Sequence, residues 1–340
     1  MAQDQDRIRI SFEQVRQLAE RPLLRCGISR EHADAMVDAV SLAEADDAKS
    51  HGLYRILGCV EAVRSGKVDP GARPEVVPTS GAVVRIDAKG GFALHPLRVG
   101  RPLLAEKAKQ FGIAALAVNN CYHFSALWAD IEPLAEQGLV ALSCTIGAYN
   151  VALAGGSTPA FGTNPFAFAF PRGTGRTPFV FDLSSSVVAK GEIELRRRAG
   201  ESLPPGWAVD SQGAPTTSPE EALKGAILPF GGHKGAALGL MVELLAGPLI
   251  GDLRSAEAFT ADPKDAGPLR GGYLMLAIDP GHFAGGEGKL DAADAWLTSL
   301  AEQHRPARLP GTRRHAARRR SMAEGVLVSR PLHDQLLELC

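Results

Sequence analysis

The chain has 340 residues, 45% of them hydrophobic and 22% charged, and 37 basic against 38 acidic side chains leave a formal net charge of −1. This is a globular composition with length for about two domains, each able to bury a core without disulfide or metal staples, so a small secreted scaffold is excluded. The balanced charge removes any global attraction to nucleic acid or an anionic membrane as main partner.

The opening Met1-Ala2-Gln3-Asp4-Gln5-Asp6 lacks the basic and apolar regions of a secretory signal and is too acidic for a transit peptide, so a cytoplasmic protein is expected. Cys26, Cys59, Cys121, Cys144 and Cys340 are odd in number, scattered and free of Cys-x-x-Cys, as reduced thiols are. Residues 11–46 read as two helices, the first stopped by Gly27 and the second capped by Ser29, with Ala33, Met36, Val37, Val40 and Leu42 as an apolar stripe. A helix from Gly52 to Ser65 and a linker from Asp69 to Thr79 follow.

From Val83 to Asp182 strand and helix patterns alternate, which argues α/β: strands at Val83–Ile86, Ile113–Val118 and Leu139–Cys144, helices at Leu97–Phe111 and Ala126–Gln137. Pro102 and Pro133 fall inside the two helices and predict kinks or later starts. Phe179–Phe181 and Tyr273–Ile278 add strands, Ser202–Gly225 reads as an irregular surface loop, and Lys289–His304 as an amphipathic helix. The most apolar stretch, Ala236–Ile250, contains Gly239, Glu243 and Pro248 and predicts a buried helix rather than a membrane span.

No G-x-G-x-x-G follows a strand, and Walker A, H-E-x-x-H and G-x-S-x-G are absent, so no metal is expected and any dinucleotide must be held by some other set of amides and basic groups. Five segments have the residue types for such work. In Ser50-His51-Gly52-Leu53-Tyr54-Arg55, a helical start places His51 and Arg55 on one side, a proton-exchanging imidazole beside a carboxylate-gripping guanidinium. That pair suits a 2-oxo, 2-hydroxy or 2-imino acid, while Ser50 as a cap with surface His51 and Arg55 is the ordinary reading that spacing alone favours. His123-Phe124-Ser125-Ala126-Leu127 joins a strand end to a helix start, where free amides meet anions, or is a plain connection. Phe161-Gly162-Thr163-Asn164-Pro165 offers a hydroxyl and amides for a carboxylate, or is only a turn.

Gly231-Gly232-His233-Lys234 opens the apolar helix, where close backbone approach, positive charge and the helix dipole favour an anion, against a structural glycine loop. Arg308-Leu309-Pro310-Gly311-Thr312-Arg313-Arg314, with Arg318, Arg319 and Arg320 beyond, suits cofactor phosphates or a solvated basic face. A nucleic-acid-binding protein is the non-enzymatic alternative for this cluster, without the aromatic interleaving that single strands favour.

In this order, Ser-His-Gly-x-x-Arg at 50–55, Gly-Gly-Phe-Ala at 90–93, His-Phe-Ser-Ala-Leu-Trp at 123–128, Phe-Gly-Thr-Asn-Pro at 161–165 and Leu-Pro-Phe-Gly-Gly-His-Lys-Gly at 228–235 resemble the malate/L-lactate dehydrogenase-like oxidoreductase family over nearly the whole chain. Within it the sequence is most similar to the branch that reduces Δ1-piperideine-2-carboxylate and Δ1-pyrroline-2-carboxylate. The resemblance implies an α/β, non-Rossmann nicotinamide-binding fold with a mixed, largely antiparallel sheet, a helical domain from both chain ends (1–75 joined by 289–340) and a cofactor-binding sheet domain with inserted loops (76–288). It implies a cytoplasmic homodimer that reduces cyclic 2-imino acids to L-pipecolate and L-proline with NADPH, or NADH. A malate- or lactate-type 2-hydroxy acid dehydrogenase is the alternative, with His51 protonating a carbonyl oxygen instead of an imine.

By the same resemblance His51 is the proton donor, Ser50 and Glu192 belong to its relay, and Arg55 and Thr163 hold the substrate carboxylate. Cofactor-binding positions are His123, Phe124, Ser125, Ala126 and Leu127, then Asp182, Leu183 and Ser184, then His233 with Lys234, and the run from Arg308 through Leu309, Pro310, Gly311, Thr312 and Arg313 to Arg314. Two residues depart from the family pattern: Glu192, in Lys190-Gly191-Glu192, replaces the aspartate of His-Gly-Asp, and Tyr122 replaces a histidine.

Overall fold

The computed structural model describes residues 6–173, 175–262, 267–284 and 288–339, which leaves Cys340 outside the described residues. Helix Phe12–Arg25 starts with a reciprocal cap: the Gln14 N–H donates to the Ser11 hydroxyl, and the Gln14 side chain accepts the Ser11 N–H. Gly27, at φ 93°, turns the chain into helix Arg30–Ala45, which buries Ala33, Met36, Val37 and Val40 as the stripe predicts. A single 3-10 turn, Lys49–His51, then leads into helix Tyr54–Arg64.

The larger sheet has seven strands in the spatial order Glu75–Val77, Val83–Asp87, Ile113–Tyr122, Arg270–Ile278, Val140–Thr145, Pro165–Phe170 and Phe179–Ser184. Val83–Asp87 runs parallel to Ile113–Tyr122 through the crossover helix Leu94–Phe111, and the other described pairings in this sheet are antiparallel. Strand Glu75–Val77 falls inside the stretch expected to be a linker, too short to announce itself by alternation. Pro102 and Pro133 are carried inside intact helices, and Leu94–Phe111 begins before, not after, the expected start. Gly100 lets that crossover helix lie close on the sheet, since a Cβ there would press on Leu116 and Ile86.

The segment from Ser202 to Gly225, expected to be irregular, contributes strands Ala208–Val209 and Pro215–Thr216 and helix Pro219–Lys224. With Ala226–Ile227, Tyr149–Ala152 and Pro159–Gly162 these strands make a second, five-stranded sheet. Two-residue strands carry no readable period, and their pairing partners lie far along the chain.

Helices Gly288–Gln303, Thr312–Glu324 and Arg330–Glu338 complete the fold, and strand Val326–Ser329 pairs antiparallel with Arg7–Ile10, tying the chain ends together. One core runs from Val15, Met36 and Leu53 through Leu97 and Leu116 to Tyr273 and Leu336, so the terminal helices and the larger sheet share it. A second core, with Val151, Phe161, Ile193, Leu203 and Ile227, fills the space beside the smaller sheet.

Helix His233–Ala246 corrects the expectation of a buried helix. Gly239, Val242, Glu243 and Ala246 face inward, whereas Leu240, Met241, Leu244 and Leu249, just past its end, lie exposed, the last two at 61% and 64%. The window His233–Ile250 has a mean hydropathy of 1.2, but Glu243 inside it is buried and hydrogen-bonded to neighbouring loops, which makes it a core helix with one open apolar face.

Candidate active site

The turn Lys49–His51 is held by a residue the sequence reading passed over. Glu44, 2% exposed near the end of helix Arg30–Ala45, accepts the Leu53 N–H at 2.8 Å with Oε1 and the Lys49 ammonium at 2.7 Å with Oε2. Lys49 also donates to the Leu327 carbonyl at 2.9 Å. Gly52 lies against the same carboxylate so closely that a Cβ would collide with it, which is why this position of the turn needs glycine. The signal available in the sequence was an acid flanked by the buried alanines of Ala43-Glu44-Ala45.

His51 and Arg55 project from this frame. Ser50 Oγ lies 3.1 Å from His51 Nδ1, and the indole of Trp128 meets the imidazole edge-on at 6.4 Å between ring centres. Burial first, then the charges of Arg55 and His123, push the His51 imidazole down to about 3, so it is neutral near pH 7. The Arg55 guanidinium has no hydrogen-bonded or ionic partner among the described residues, and burial pulls its pKa below the ordinary arginine value. A half-buried guanidinium with no carboxylate of its own is a receptor for one from outside.

His123 to Leu127 form the connection between strand Ile113–Tyr122 and helix Trp128–Glu136. His123 Nε2 lies 3.0 Å from Asp130 Oδ2 and 3.4 Å from Ser125 Oγ, and the Tyr273 hydroxyl donates to the same Asp130 oxygen at 3.0 Å. Phe124 packs edge-on against Phe92, and Ala126 and Leu127 are buried. Asp182 Oδ2 accepts the N–H groups of Leu127 at 2.7 Å and Trp128 at 3.3 Å, so this expected cofactor residue caps the helix that follows His123. Burial raises the Asp182 carboxyl to about 6 against those two hydrogen bonds and the charge of His123.

Leu183 is exposed, and the Ser184 hydroxyl donates to the Thr163 carbonyl at 2.6 Å, which joins this strand end to the Thr163 turn. The turn is fixed from behind by Asn164, which is fully buried at φ 31°. Its amide donates to the Gly239 carbonyl at 2.9 Å and to Glu243 Oε1 at 2.8 Å, while its Oδ1 accepts the Gly147 N–H at 2.9 Å. Glu243 also accepts the Gly162 N–H at 3.2 Å and the Ser255 N–H at 2.9 Å. A carboxylate within the most apolar stretch was the sequence signal for this second brace.

His233 and Lys234 stand exposed in the first turn of their helix, after Gly231 and Gly232 at φ 56° and 62°. The Phe230 N–H donates to the Ser185 carbonyl at 3.1 Å, so this loop adjoins the serine run beside Thr163. Glu192, in the first turn of helix Lys190–Ala199, is bonded to Arg196 at 3.3 Å, not to His51. Its helix meets the start of helix Tyr54–Arg64 through Arg198, which sits over the Tyr54 ring at 5.1 Å.

The arginine run divides. Arg308, Pro310, Thr312 and Arg313 are exposed, Leu309 is partly covered, and Gly311, at φ 82°, lies against the Val180 carbonyl. Arg314, expected to hold phosphate, instead points inward to Asp46 at 2.8 Å and Glu132 at 2.6 Å, with its guanidinium over the Trp128 ring at 5.0 Å. Arg318 bonds the same two acids, each at 2.6 Å, and the Trp128 indole N–H donates to Asp46 at 3.0 Å. Burial works against the charge of Glu132, yet the His315 contact and the two arginines hold its carboxyl down at about 2. Two buried acids require two cations, and this demand turns Arg314 away from solvent.

Around His51 the fold therefore gathers Arg55, His123, Ser125 and Trp128, with Asp182 behind, and braces Thr163 on a turn joined to Ser184, two residues along the strand from Asp182. Two helix N-termini without side-chain caps, at Gly232 and Gly311, present Lys234 and Arg313, a donor set of amides and cations suited to the phosphates of a dinucleotide. Among the described residues no group of three or more His, Cys, Asp or Glu side chains is arranged to hold a metal ion.

The malate/L-lactate dehydrogenase family matches residues 10–337 of the chain. A Δ1-pyrroline-2-carboxylate reductase of Ancylobacter novellus is 51% identical over 98% of this chain and 97% of its own. A Δ1-pyrroline-2-carboxylate/Δ1-piperideine-2-carboxylate reductase of Pseudomonas aeruginosa is 49% identical over 98% and 99%. The crystal structure of Δ1-piperideine-2-carboxylate reductase from Pseudomonas syringae pv. tomato superposes with a TM-score of 0.91 at 41% identity, covering 98% of this chain and 100% of that one. The chain belongs to the malate/L-lactate dehydrogenase family.

Proposed function

We propose that the chain is a nicotinamide-dependent reductase of cyclic 2-imino acids, converting Δ1-piperideine-2-carboxylate to L-pipecolate and Δ1-pyrroline-2-carboxylate to L-proline with NADPH, or NADH. The observation that carries this reading is the unpartnered Arg55 guanidinium, four residues after His51 and close enough for its charge to lower the His51 imidazole. Arg55 and the Thr163 hydroxyl grip the substrate carboxylate and so fix the ring. Ser50 engages His51 Nδ1, which leaves Nε2 to meet the imine nitrogen. His51 takes up a proton from solvent once the substrate carboxylate offsets the charge of Arg55, and donates it from Nε2 to the imine nitrogen as hydride reaches C2. Glu192 joins the relay only by leaving Arg196 for the His51 side.

The cofactor is held in a non-Rossmann manner, by His123 to Leu127, Asp182 to Ser184, His233, Lys234 and Arg308 to Arg313, with Arg314 supporting from within. When bound, NADPH supplies the hydride that reduces C2. The division into 1–75 with 289–340, and 76–288, is then one of labour around a shared core.

We also propose a homodimer whose interface covers Leu240, Met241, Leu244 and Leu249, an open apolar face of a kind monomers rarely keep. The free thiols of Cys26, Cys59, Cys121 and Cys144 fit a reducing, cytoplasmic setting. The inward pairing of Arg314 and Arg318 takes charge off the face a nucleic acid would need. The test is NADPH consumption by the purified chain with the two cyclic imino acids, pyruvate and oxaloacetate under matched conditions. Faster turnover of the imino acids is expected. Preference for the 2-oxo acids would replace the substrate by that of a 2-hydroxy acid dehydrogenase, and no turnover would overturn the enzyme.

A further inference from the structure

We infer that Glu44 is a positioning residue for the reaction, setting His51 and Arg55 from beneath without touching substrate or cofactor. The inference rests on the reductase reading for its kinetic consequence and on geometry for its substance. One carboxylate staples both flanks of the three-residue span Ser50-His51-Gly52: Oε2 holds Lys49 before it at 2.7 Å, and Oε1 holds the Leu53 N–H after it at 2.8 Å. Gly52, the last residue of the span, is pressed on the same group. Lys49 in turn is pinned to the Leu327 carbonyl on the strand that closes the chain ends together.

A 3-10 turn this short has little rigidity of its own, and neither it nor helix Tyr54–Arg64 has a side-chain cap. Glu44 supplies what a cap would, from another helix, and its charge at the start of helix Tyr54–Arg64 also favours the dipole there. Because the span carries His51 and the helix carries Arg55, one staple fixes the distance between the proton-handling imidazole and the carboxylate-gripping guanidinium. Misplacing a reacting pair by about 1 Å costs on the order of a hundredfold in rate.

The test uses Glu44→Gln, Lys49→Met and the double variant in the full-length chain, with steady-state kinetics on the cyclic imino acids and NADPH binding followed by nicotinamide fluorescence. Glu44→Gln keeps an acceptor for Leu53 but loses Lys49. It is expected to lower kcat/KM for the imino acid by about tenfold or more, while NADPH affinity stays within about twofold. Lys49→Met breaks the same staple, so its effect is expected to shrink in the Glu44→Gln background. A general loosening of the fold would instead weaken NADPH binding in parallel. Equal effects of Lys49→Met in both backgrounds, or kinetics unchanged in both single variants, would overturn the inference.

If Glu44→Gln does not fold, Lys49→Met alone carries the kinetic split. If the unaltered chain reduces no imino acid, the reductase reading fails and the staple is read by NMR titration of the His51 imidazole. Released from its frame, His51 in either variant titrates at higher pH than in the unaltered chain. An unmoved titration would refute the staple by itself.

Discussion

Replacing Arg55 with methionine, which keeps the length of the stem but removes the charge, separates binding from stability in opposite directions. Arg55 is half-buried without a partner among the described residues, and burial already disfavours its charged form. The free protein therefore gives up nothing by losing the guanidinium and is relieved of an unsatisfied charge, so Arg55→Met is expected to melt no lower than the unaltered chain, and higher by about 2 °C for each kcal/mol relieved. The substrate loses a charge-assisted, two-pronged hydrogen bond to its carboxylate. Removing one partner of such a pair costs about 2–5 kcal/mol, which at about 1.4 kcal/mol per tenfold lowers kcat/KM for the imino acid between about 30-fold and about 5000-fold. Thermal unfolding monitored by circular dichroism and NADPH consumption at several imino acid concentrations read the two effects separately. A loss in kcat/KM below about tenfold, or a clear drop in melting temperature, would refute the assignment of Arg55 as an unpaired carboxylate receptor and return it to a structural role.

Three further outcomes follow from the buried polar groups. Burial, then the neighbouring His95, lowers His32 from 6.5 to about 4, so the unfolded chain binds a proton at higher pH than the folded one. Its stability contribution is complete above pH 6.5 and is lost as pH falls toward 4, by about 3 kcal/mol, a loss that urea unfolding should show and that His32→Gln should remove. Arg318→Met leaves Arg314 as the one arginine for both Asp46 and Glu132 and should destabilise the fold by about 3–5 kcal/mol while loosening the Trp128 wall of the His51 pocket; a melting temperature unchanged within 1 °C or so would contradict the network. Glu243→Gln keeps one carbonyl acceptor but sets an NH2 group against either the Ser255 N–H or the Gly162 and Asn164 N–H groups, so KM for the imino acid should rise through the Thr163 turn with NADPH affinity unaltered. Equal weakening of both would deny that turn a part in holding the substrate.

The motifs were legible because each is local. Ser50 to Arg55, His123 to Leu127 and Gly231 to Lys234 are short segments, where neighbours in sequence are neighbours in space, and the long helices and strands declared themselves by period. What escaped was set by partners far away. Glu44 and Leu53 are nine residues apart, but Asp46 meets Arg318 across 272 and Glu132 meets it across 186. Nothing in a basic run tells which arginines will be claimed by acids it does not adjoin, so Arg314 reads like Arg313 until the helices pack.

The sequence by itself determined the alternating helix and strand order, the glycine-opened apolar helix and the four-residue spacing of His51 and Arg55, since composition, spacing and turn chemistry are local properties. Tertiary structure alone decided that the two-residue strands of 202–227 form a sheet, that the apolar helix keeps one face open, that Asp182 caps the helix after His123, and that Glu44 and Glu243 brace the two turns. Each of these depends on desolvating a polar or apolar group against a segment distant in the chain, and only packing fixes which segment that is.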